Sequence, residues 1–577
     1  MIDNSYISAT SCYNYIMKDP LLDWIKYYKK DNKRIKNTKI DFSSFIMKQG
    51  IIFENKVINL ISELIGENRI KKINAIEDIY SINKINETIS AMKEGYPIIY
   101  QGLLINKNNK TFGIPDILIR NDWINKIINN PVDIEIKDTF YYIVLDIKFT
   151  SLKLKSDGNY LLNSGSFPAY KAQLYIYNEA LKLLQDYTSS KVFILGRKWQ
   201  YTLLNKKYSN NNCLDRLGMI DYSNEDKKFI ELSNKSINWI KELQNKKSKK
   251  WNIYNVPLKR IELYPNMNNN NDYPLRGIKR ELSEKNDELT SLWMVGSKNR
   301  NIGISNGIFK WTDKKCTAKK LGIFGKKIGP ILNKIIKINQ SKTKIIEPLY
   351  IKNNIGNWKE KEDIEYFVDF ETFNGSIADI NNLPFSNINN LIFMIGVGYI
   401  KNRKWKFINF TSDRLTFKEE ERICKEFLDF VKDKKCFHWS YAEPNIWKKV
   451  DIKYNLNSNI NWVDLLKVFK EEPIVIHGCM SFGLKEVSKT MYNLGLIKST
   501  WDLNICNNGQ LAMIEAYEAN KKAKSLNISI KEIKEFNNII KYNEIDVKVI
   551  YEILYYLRKN HIKLDDSYSN SKKRRKI

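Results

Sequence analysis

Cysteine is scarce and scattered in this chain of 577 residues. The seven cysteines stand at positions 12, 213, 316, 424, 436, 479 and 506, and no C-x-x-C pair occurs. Zinc ribbons and iron–sulfur clusters draw on closely spaced cysteines, so the sequence predicts neither. Thiols spread over the whole length without pairing are typical of a protein in a reducing compartment.

Long apolar runs and targeting signals are also missing. The most apolar stretch, residues 391–400, is about half of the ~20 residues that a membrane-spanning helix needs, and it predicts a buried strand instead. The first residues contain no basic region followed by an apolar one, and no G-x-x-x-x-G-K-[ST] motif occurs. We therefore expect an intracellular protein with no membrane segment and no ATP site.

Positive charge, in contrast, is abundant. The chain has 95 Lys and Arg against 65 Asp and Glu, a formal net charge of +30. Such a surplus favours a polyanionic partner, either nucleic acid or an anionic membrane surface. The alternative is compositional: Lys, Asn and Ile are common throughout, as the codon bias of an AT-rich genome would produce. At roughly 150 residues per domain, the length predicts two to four folded units.

The alternation of strand and helix patterns divides the chain into four predicted parts. A first α/β domain covers residues 1–245. Residues 246–362 form a basic linker, rich in Pro and Asn at its start, and a small Gly-punctuated helical module. A second α/β domain covers residues 363–560. The remaining residues, 561–577, form a basic tail that we expect to be disordered.

The first predicted domain, residues 1–245, carries acidic residues and a lysine on predicted strands. Asp116 lies near the start of a strand predicted over residues 111–120, and Asp146 and Lys148 lie in an apolar strand predicted over residues 141–150. Residues two apart share one face of a strand, so Asp146 and Lys148 lie side by side. Burying both charges is costly unless a partner compensates. A divalent metal would compensate them; a simple buried ion pair is the alternative.

Two predicted helices carry further candidate residues. Glu54 lies in an amphipathic helix predicted over residues 50–61, and Gln173 and Tyr177 lie four apart in a helix predicted over residues 167–181. The spacing of four puts the last two on one helical face. A Gln and a Tyr at this spacing are also common as ordinary surface residues.

Together, Glu54, Gly113-Ile-Pro-Asp116, Asp146-Ile-Lys148 and Gln173-x-x-x-Tyr177 resemble the RecB-type branch of the PD-(D/E)XK nucleases. The resemblance covers about residues 5 to 200 and implies a restriction-endonuclease-like α-β-β-β-α core. It implies that Asp116 and Asp146 bind Mg²⁺ or Mn²⁺, and that Glu54 completes the metal shell directly or through water. Lys148 would orient or deprotonate the attacking water, and Gln173 and Tyr177 would position the strand or the lysine. Some members hold an iron–sulfur cluster, but only two cysteines fall in this block, so we expect none.

The second block also carries acids at defined spacings. Asp369 and Glu371 share one face of a predicted strand, Glu443 lies in the first turn of a predicted helix, and Tyr542 and Asp546 share one helical face. Two carboxylates forced together are stable mainly when one is protonated or a metal lies between them. An exposed edge strand is the alternative for the first pair.

This series resembles the RNase H-like DEDD exonucleases of the tyrosine-bearing subclass over about residues 363–557. The resemblance implies a mixed-sheet domain in which Asp369, Glu371, Glu443 and Asp546 bind two divalent ions and Tyr542 hydrogen-bonds the attacking water. Glu443 departs from the usual Asp. Asp464 is a further candidate ligand, although an Asp at a helix start is usually a cap. His438 and His477 are either core imidazoles or catalytic groups.

The middle module and the tail suggest nucleic-acid contacts. Residues 289–311 resemble a degenerate helix-hairpin-helix, for which a plain linker is the alternative, and Trp293 and Trp311 are predicted core residues. The predicted phosphate contacts are Lys298, Arg300, Lys310, Lys314 and Lys315. Lys572–Lys576 fits a nuclear localisation signal, with a nonspecific nucleic-acid tail as the alternative. The signal would place the protein in a eukaryotic cell, with a large DNA virus as one source of the gene.

The leading hypothesis is a Mg²⁺- or Mn²⁺-dependent DNA nuclease of repair, recombination or replication. With no ATP site predicted, any helicase would be a separate partner. The alternatives are an RNA 3′-exonuclease that uses the second block, and a nucleic-acid-binding scaffold in which one nuclease site is inert.

Overall fold

The computed structural model describes residues 3, 5–29, 42–79, 81–135, 137–341, 343–374, 383–385, 390–501 and 508–563. Contacts group the chain into two units: Met1–Asn286 with Gly375–Ile388, and Asp287–Asn374 with Asn389–Ile577. Both units combine helices with mixed sheets, so the predicted α/β class is confirmed. None of the described helices is both long and apolar enough to cross a membrane.

The first unit contains ten strands and eight α-helices among its described residues. The strands are β1 Ile7–Ser8, β2 Ile70–Lys72, β3 Ile98–Tyr100, β4 Leu104–Asn106, β5 Thr111–Gly113, β6 Ile117–Arg120, β7 Tyr142–Lys153, β8 Lys191–Leu203, β9 Lys206–Asn210 and β10 Gly218–Asp221. The helices are α1 Tyr13–Ile16, α2 Leu21–Tyr28, α3 Phe42–Ile65, α4 Ile82–Lys93, α5 Asn121–Ile124, α6 Phe167–Gln185, α7 Lys228–Gln244 and α8 Arg276–Lys285. The main sheet has the order β10-β8-β7-β6-β3-β2 with β9 paired to β8, and a smaller sheet has the order β1-β5-β4.

Strand β7 lies inside the main sheet, and its first half, residues 142–147, is buried and apolar except for Asp146. It pairs antiparallel with β6 and parallel with β8. Leu145 and Ile147 pack with Phe53 of α3 in one hydrophobic core. Because side chains alternate along a strand, Asp146 and Lys148 point to the opposite face, where Lys148 Nζ lies 5.4 Å from the ring centroid of Tyr170 of α6. The predicted order of helix, three strands and helix is therefore present as α3, β3, β6, β7 and α6.

The prediction of one continuous strand over residues 111–120 was wrong in one respect. Two strands of different sheets, β5 and β6, occupy this range, and Ile114-Pro-Asp116 lies between them. Pro115 lacks the backbone N–H that a ladder needs, which favours the break. Asp116 therefore lies in a turn that ends at β6.

The Asn-rich stretch after residue 245 is irregular, as predicted, but it is tied to the first unit. The buried ammonium of Lys279, on α8, donates to the backbone carbonyls of Asn266 and Asn269 at 3.1 and 2.7 Å. It also lies 2.9 Å from an oxygen of Asp19 and 2.7 Å from one of Asp272. Because a buried ammonium must be paired, these contacts fix the loop. Contacts thus extend this unit to Asn286, beyond the boundary predicted at residue 245.

The second unit contains seven strands and eight α-helices among its described residues. The strands are β11 Ile346–Glu347, β12 Tyr366–Phe373, β13 Leu391–Lys401, β14 Lys404–Thr411, β15 Lys435–His438, β16 Asn461–Asp464 and β17 Val475–Ile476. The helices are α9 Ser297–Ser305, α10 Ile328–Gln340, α11 Phe417–Val431, α12 Ala442–Tyr454, α13 Leu465–Glu471, α14 Leu484–Asn493, α15 Gly509–Leu526 and α16 Phe536–Asn560. Its five-stranded sheet has the order β14-β13-β12-β15-β16, in which β13 is the predicted buried strand; β11 pairs with β17.

Residues 287–362 share one hydrophobic core with the rest of the second unit. Leu292, Val295 and Leu332 lie in the same cluster as Phe469 and Val547. Short helices cannot bury an apolar face alone, so they bury it against a neighbouring layer. For this reason contacts group residues 287–362 with the second sheet, whereas the sequence predicted a separate module.

Candidate active sites

The first site forms where Asp116 meets strand β7. One Asp116 oxygen, Oδ2, accepts a hydrogen bond of 2.6 Å from the backbone N–H of Ile147. Lys148 Nζ forms an ion pair with Asp146 and lies 4.0 Å from Asp116 Oδ2. The structure therefore brings together the three residues that carried the sequence prediction.

Glu54 approaches this group from helix α3. Its Oε1 accepts hydrogen bonds of 2.8 Å from the Tyr100 hydroxyl and from the Gln101 side-chain amide. The backbone N–H of Gln101 donates to the carbonyl of Asp116 at 2.9 Å, with Gln101 in a left-handed conformation at φ 52°. Gln101 thus connects Glu54 to the Asp116 turn. Sequence reasoning missed Tyr100 and Gln101, because nothing local marks a Gln after a strand.

Gln173 and Tyr177 form a hydrogen-bonded pair on α6. The Gln173 amide donates to the Tyr177 hydroxyl at 2.7 Å. The Tyr177 ring lies against Gly113, where an added Cβ would come within 2.0 Å of the ring. Gly113 is thus needed for the ring to lie here, and the Gly113-to-Asp116 segment seats this helix beside the acids. Removal from water and the charge of Asp146 both raise the pKa of Tyr177.

Electrostatics in the first site favour a bound cation. Burial and the nearby charge of Asp146 raise the pKa of Asp116 well above its usual value. Burial lowers the pKa of Lys148, but the charges of Asp146 and Asp116 outweigh it, so this pKa is raised. Asp146 is 1% exposed, and its Oδ1 has no hydrogen-bond donor in the described part of the chain. Carboxylate oxygens without donors are the hard ligands that Mg²⁺ and Mn²⁺ prefer, so the residues fit such an ion.

The second site lies where strand β12 faces helix α16. Asp369 and Glu371 project from the strand and Asp546 from the helix, and one carboxylate oxygen of each lies within 4.8 Å of the others. Like charges this close repel each other. Burial, reinforced by the charge of Asp546, raises the pKa of Glu371 to about 8 and that of Asp369 well above its usual value. These oxygens also fit a divalent cation.

Asn543, one helical turn before Asp546, holds this group in place. Its Nδ2 donates to Asp369 Oδ2 at 2.7 Å and lies 3.4 Å from Glu371 Oε1. Gly396 pairs with Asp369 across the sheet, and a Cβ on it would fall 1.6 Å from the Asn543 amide oxygen. The amide therefore occupies space that a side chain would fill. Sequence reasoning missed Asn543, although its spacing of three from Asp546 is a helical-face signal.

Tyr542, Trp501 and Lys485 surround Asp546. The Tyr542 hydroxyl hydrogen-bonds Asp546, and the Trp501 indole N–H donates to Asp546 Oδ1 at 3.0 Å. Lys485 Nζ lies 4.6 Å from the centroid of the Tyr542 ring. Burial raises the pKa of Asp546 to about 6, while the charge of Lys485 and these hydrogen bonds oppose that rise. Sequence reasoning missed Trp501 and Lys485, since neither has a local motif.

Glu443 lies beside the three acids but outside their group. Its Oε2 is 3.4 Å from Nδ1 of His438, and its charge contributes to the raised pKa of Asp369. The predicted four-acid set is thus brought together only in part. Asp464 is not among the three: its Oδ1 accepts from the N–H groups of Ser440 and Leu466 at 3.0 and 2.9 Å. Asp464 therefore caps the N-terminus of α13, which is the alternative stated for it from the sequence.

The remaining histidine and the aromatic residues of the middle module lie in structural positions. His477 Nδ1 is 3.0 Å from the carbonyl of Ile338, which matches the core-imidazole alternative. Trp293 and Trp311 are partly buried and pack on the hydrophobic core of the second unit, as predicted.

The predicted phosphate contacts separate into two groups. Lys298, Lys314 and Lys315 are exposed and Lys310 is partly exposed, so each can reach a phosphate. Arg300 is different, and its predicted role needs correction. It is 4% exposed, and its Nη1 lies 3.6 Å from Oε1 of the buried Glu288. A guanidinium that neutralises a buried carboxylate is a structural group.

We expect Arg300→Ala to destabilise the second unit by about 3–5 kcal/mol, because it leaves the Glu288 charge buried and unpaired. Urea denaturation of the full chain measures the change. Lys298→Ala, on the exposed face of the same helix, is the matched control and should change stability by no more than about 0.5 kcal/mol. Glu288→Ala combined with Arg300→Ala should recover part of the loss. Equal stabilities for Arg300→Ala and Lys298→Ala would contradict the buried pair.

Comparison with known families adds one finding. Residues 377–558 match the family model of the RNase H superfamily. The matched range begins after Asp369 and Glu371 and includes Glu443, Asp464, Tyr542 and Asp546. A domain of this superfamily indicates a nuclease that acts on nucleic acid and uses divalent metal. No curated protein matches the chain.

Proposed function

We propose that the chain is a Mg²⁺- or Mn²⁺-dependent DNA nuclease with two hydrolytic sites, acting in repair, recombination or replication. The main supporting observation is the close group of Asp369, Glu371 and Asp546, in the unit that carries the RNase H superfamily match. The first unit supports a second site through Asp116, Asp146 and Lys148, whose arrangement resembles that of RecB-type nucleases. DNA is the proposed substrate on account of that resemblance.

In the first site, Asp116, Asp146 and Glu54 would hold the metal ion. Lys148, whose ammonium pairs with Asp146, would orient the attacking water or remove its proton, and would offset charge on the phosphate. The backbone N–H of Ile147 fixes one oxygen of Asp116. The Gln173–Tyr177 pair, seated against Gly113, would position the strand or the lysine.

In the second site, Asp369, Glu371 and Asp546 would hold the metal, with Glu443 as an additional acid. Bound divalent metal supplies activation of water and stabilisation of charge on the phosphate in both sites. Asn543 and Trp501 fix one oxygen each of Asp369 and Asp546, so the carboxylates need not reorganise. The Tyr542 hydroxyl, which hydrogen-bonds Asp546, would orient the attacking water.

RNA hydrolysis by the second unit is the second candidate, because the family match covers only that unit. An inert second site on a nucleic-acid-binding scaffold is supported by the position of Glu443 outside the three-acid group. Two further proposals rest on sequence alone. One is a separate helicase partner. The other is a nuclear localisation signal at Lys572–Lys576, which lies outside the described residues.

Nuclease assays on the purified full chain test the proposal. The substrates are end-labelled single-stranded DNA, double-stranded DNA and RNA, each with Mg²⁺, with Mn²⁺ and with EDTA. We expect metal-dependent cleavage of DNA that EDTA abolishes. Cleavage restricted to RNA would favour the second candidate. Tight nucleic-acid binding without cleavage under either metal would contradict a nuclease and favour the scaffold.

A further inference from the structure

Strands β8 and β9 form a hairpin at the edge of the first unit's main sheet. The parallel pairing of β7 with β8 ends at Lys153 and Gln200, so Tyr201, Thr202 and Leu203 pair only with β9 in the described structure. Leu204 and Asn205 connect the two strands, both with positive φ, at 47° and 62°. Two such residues form the type I′ turn that suits a right-twisted hairpin.

Leucine is an unusual residue at the hairpin tip. Positive φ favours Gly, Asn or Asp, and a branched apolar side chain there is unfavourable. Leu204 is 92% exposed and its neighbour Leu203 is 41% exposed, so neither contributes much to a core. Folding alone therefore gives no reason for an apolar tip. Apolar side chains that project from a rigid support are able to insert between stacked bases.

The hairpin is strongly basic. Residues 191–210 contain five Lys or Arg and no Asp or Glu. Lys206 and Lys207 are exposed on β9, directly after the tip, and Lys198 lies on β8. Burial and the nearby charges of Arg197 and Lys207 lower the pKa of Lys198. Lys191, at the start of β8, pairs with Asp133, so the charge available to a phosphate backbone lies mainly in Lys206 and Lys207.

Stacked aromatic rings stiffen the hairpin. The rings of Trp199 and Tyr201 stack at 5.6 Å, and those of Tyr201 and Tyr208 stack at 5.0 Å. The Trp199 indole N–H donates to Asp215 at 2.7 Å, and the Arg216 guanidinium lies 5.0 Å from the Trp199 ring. These contacts anchor the base of the hairpin and so hold its tip in place.

From these features we infer that the β8–β9 hairpin binds nucleic acid at a junction of duplex and single strand. Lys206 and Lys207 contact phosphates, and Leu204 inserts between the bases where the duplex opens. The hairpin continues from the strand that pairs with β7, with Ile194 opposite Asp146. This inference concerns binding alone and goes beyond the proposed hydrolysis.

A forked DNA with 2-aminopurine at the junction tests the inference. The full chain is used in EDTA, so no hydrolysis occurs and the result does not depend on either nuclease site. Wild-type protein should increase 2-aminopurine emission, because insertion unstacks the base. Leu204→Asn should remove at least half of the increase while affinity changes less than about twofold, since phosphates dominate affinity. Asn tolerates positive φ, so the melting temperature of the Leu204→Asn variant should equal or exceed that of wild type. A loss of emission in this variant then reports lost insertion and not lost folding.

The salt dependence of DNA affinity tests the role of Lys206 and Lys207. Lys206→Gln with Lys207→Gln should weaken binding about tenfold at low salt and reduce the slope of log affinity against log salt by about 1.4 to 1.8, for two lost phosphate contacts. Lys227→Gln with Lys228→Gln, two exposed lysines of the same unit, is the matched control and should leave the slope unchanged.

Either of two results would overturn the inference: a double Lys206/Lys207 variant that binds as wild type does, or full 2-aminopurine emission with Leu204→Asn.

Discussion

Asp146→Asn is expected to reduce cleavage by the first site by roughly a thousandfold, the size of effect that loss of a divalent-metal ligand produces. The substitution removes the charge of a carboxylate that is 1% exposed and has a free Oδ1 in the described structure. It also removes the ion-pair partner of Lys148, although Asp116 remains 4.0 Å from that ammonium. We expect the fold to persist because Asn has nearly the same shape.

The second site must be inactive in this measurement, so that only cleavage by the first site is read. Asp369→Asn protein therefore serves as the reference, and the added effect of Asp146→Asn is read on end-labelled DNA with Mg²⁺. Asp157→Asn, which changes an exposed acid in a loop of the same unit, is the control and should cleave at the reference rate. If Asp146→Asn also cleaves at that rate, the first site is not a nuclease site.

Local patterns were sufficient to find the acids that lie on strands. The apolar residues around Asp146 and Asp369 predicted buried strands, and β7 and β12 lie at those positions. Spacings of two on a strand and four on a helix predicted shared faces, and the structure brings together Asp369, Glu371 and Asp546. Such predictions succeed because periodicity is a property of the local backbone.

Partners distant in the chain could not be predicted in this way. Asn543 reaches Asp369 across 174 positions, and Gln101 reaches Glu54 across 47. These pairs depend on how helices pack on sheets, which no local pattern encodes. Arg300 shows the same limit, since its burial against Glu288 follows from the packing of the middle helices and not from the basic character of its segment.

The two sites share one structural arrangement. In each, a fixed donor occupies one oxygen of a carboxylate: the Ile147 N–H on Asp116 in the first site, and the Asn543 amide on Asp369 in the second. The Trp501 indole does the same for Asp546. A donor on one oxygen orients the other, and groups that hold ligands in place strengthen metal binding and speed catalysis. Both units therefore present carboxylates whose positions are set before a ligand arrives.

Asp369→Asn is expected to have an equally large effect in the second site, but with a distinct signature in stability. The raised pKa values of Glu371 and Asp369 reflect burial and then repulsion from Asp546, so removal of the Asp369 charge relieves part of the repulsion among these acids. In EDTA, the melting temperature of the variant should therefore equal or exceed that of the reference. Cleavage should fall by roughly a thousandfold, because a metal ligand is lost.

Metal-induced stabilisation separates these effects. With Asp146→Asn as the reference background, Mg²⁺ or Mn²⁺ at about 100 times its dissociation constant should stabilise the folded protein by about 2.7 kcal/mol, and Asp369→Asn should lose most of this gain. Asp363→Asn, an exposed acid just before β12, is the control and should keep both the gain and the activity. Unchanged metal stabilisation with Asp369→Asn would show that the three acids do not hold the ion. Normal metal stabilisation of the reference without any cleavage would instead indicate a metal-binding site without nuclease activity, because ligand binding and phosphodiester hydrolysis are then separated in the same unit.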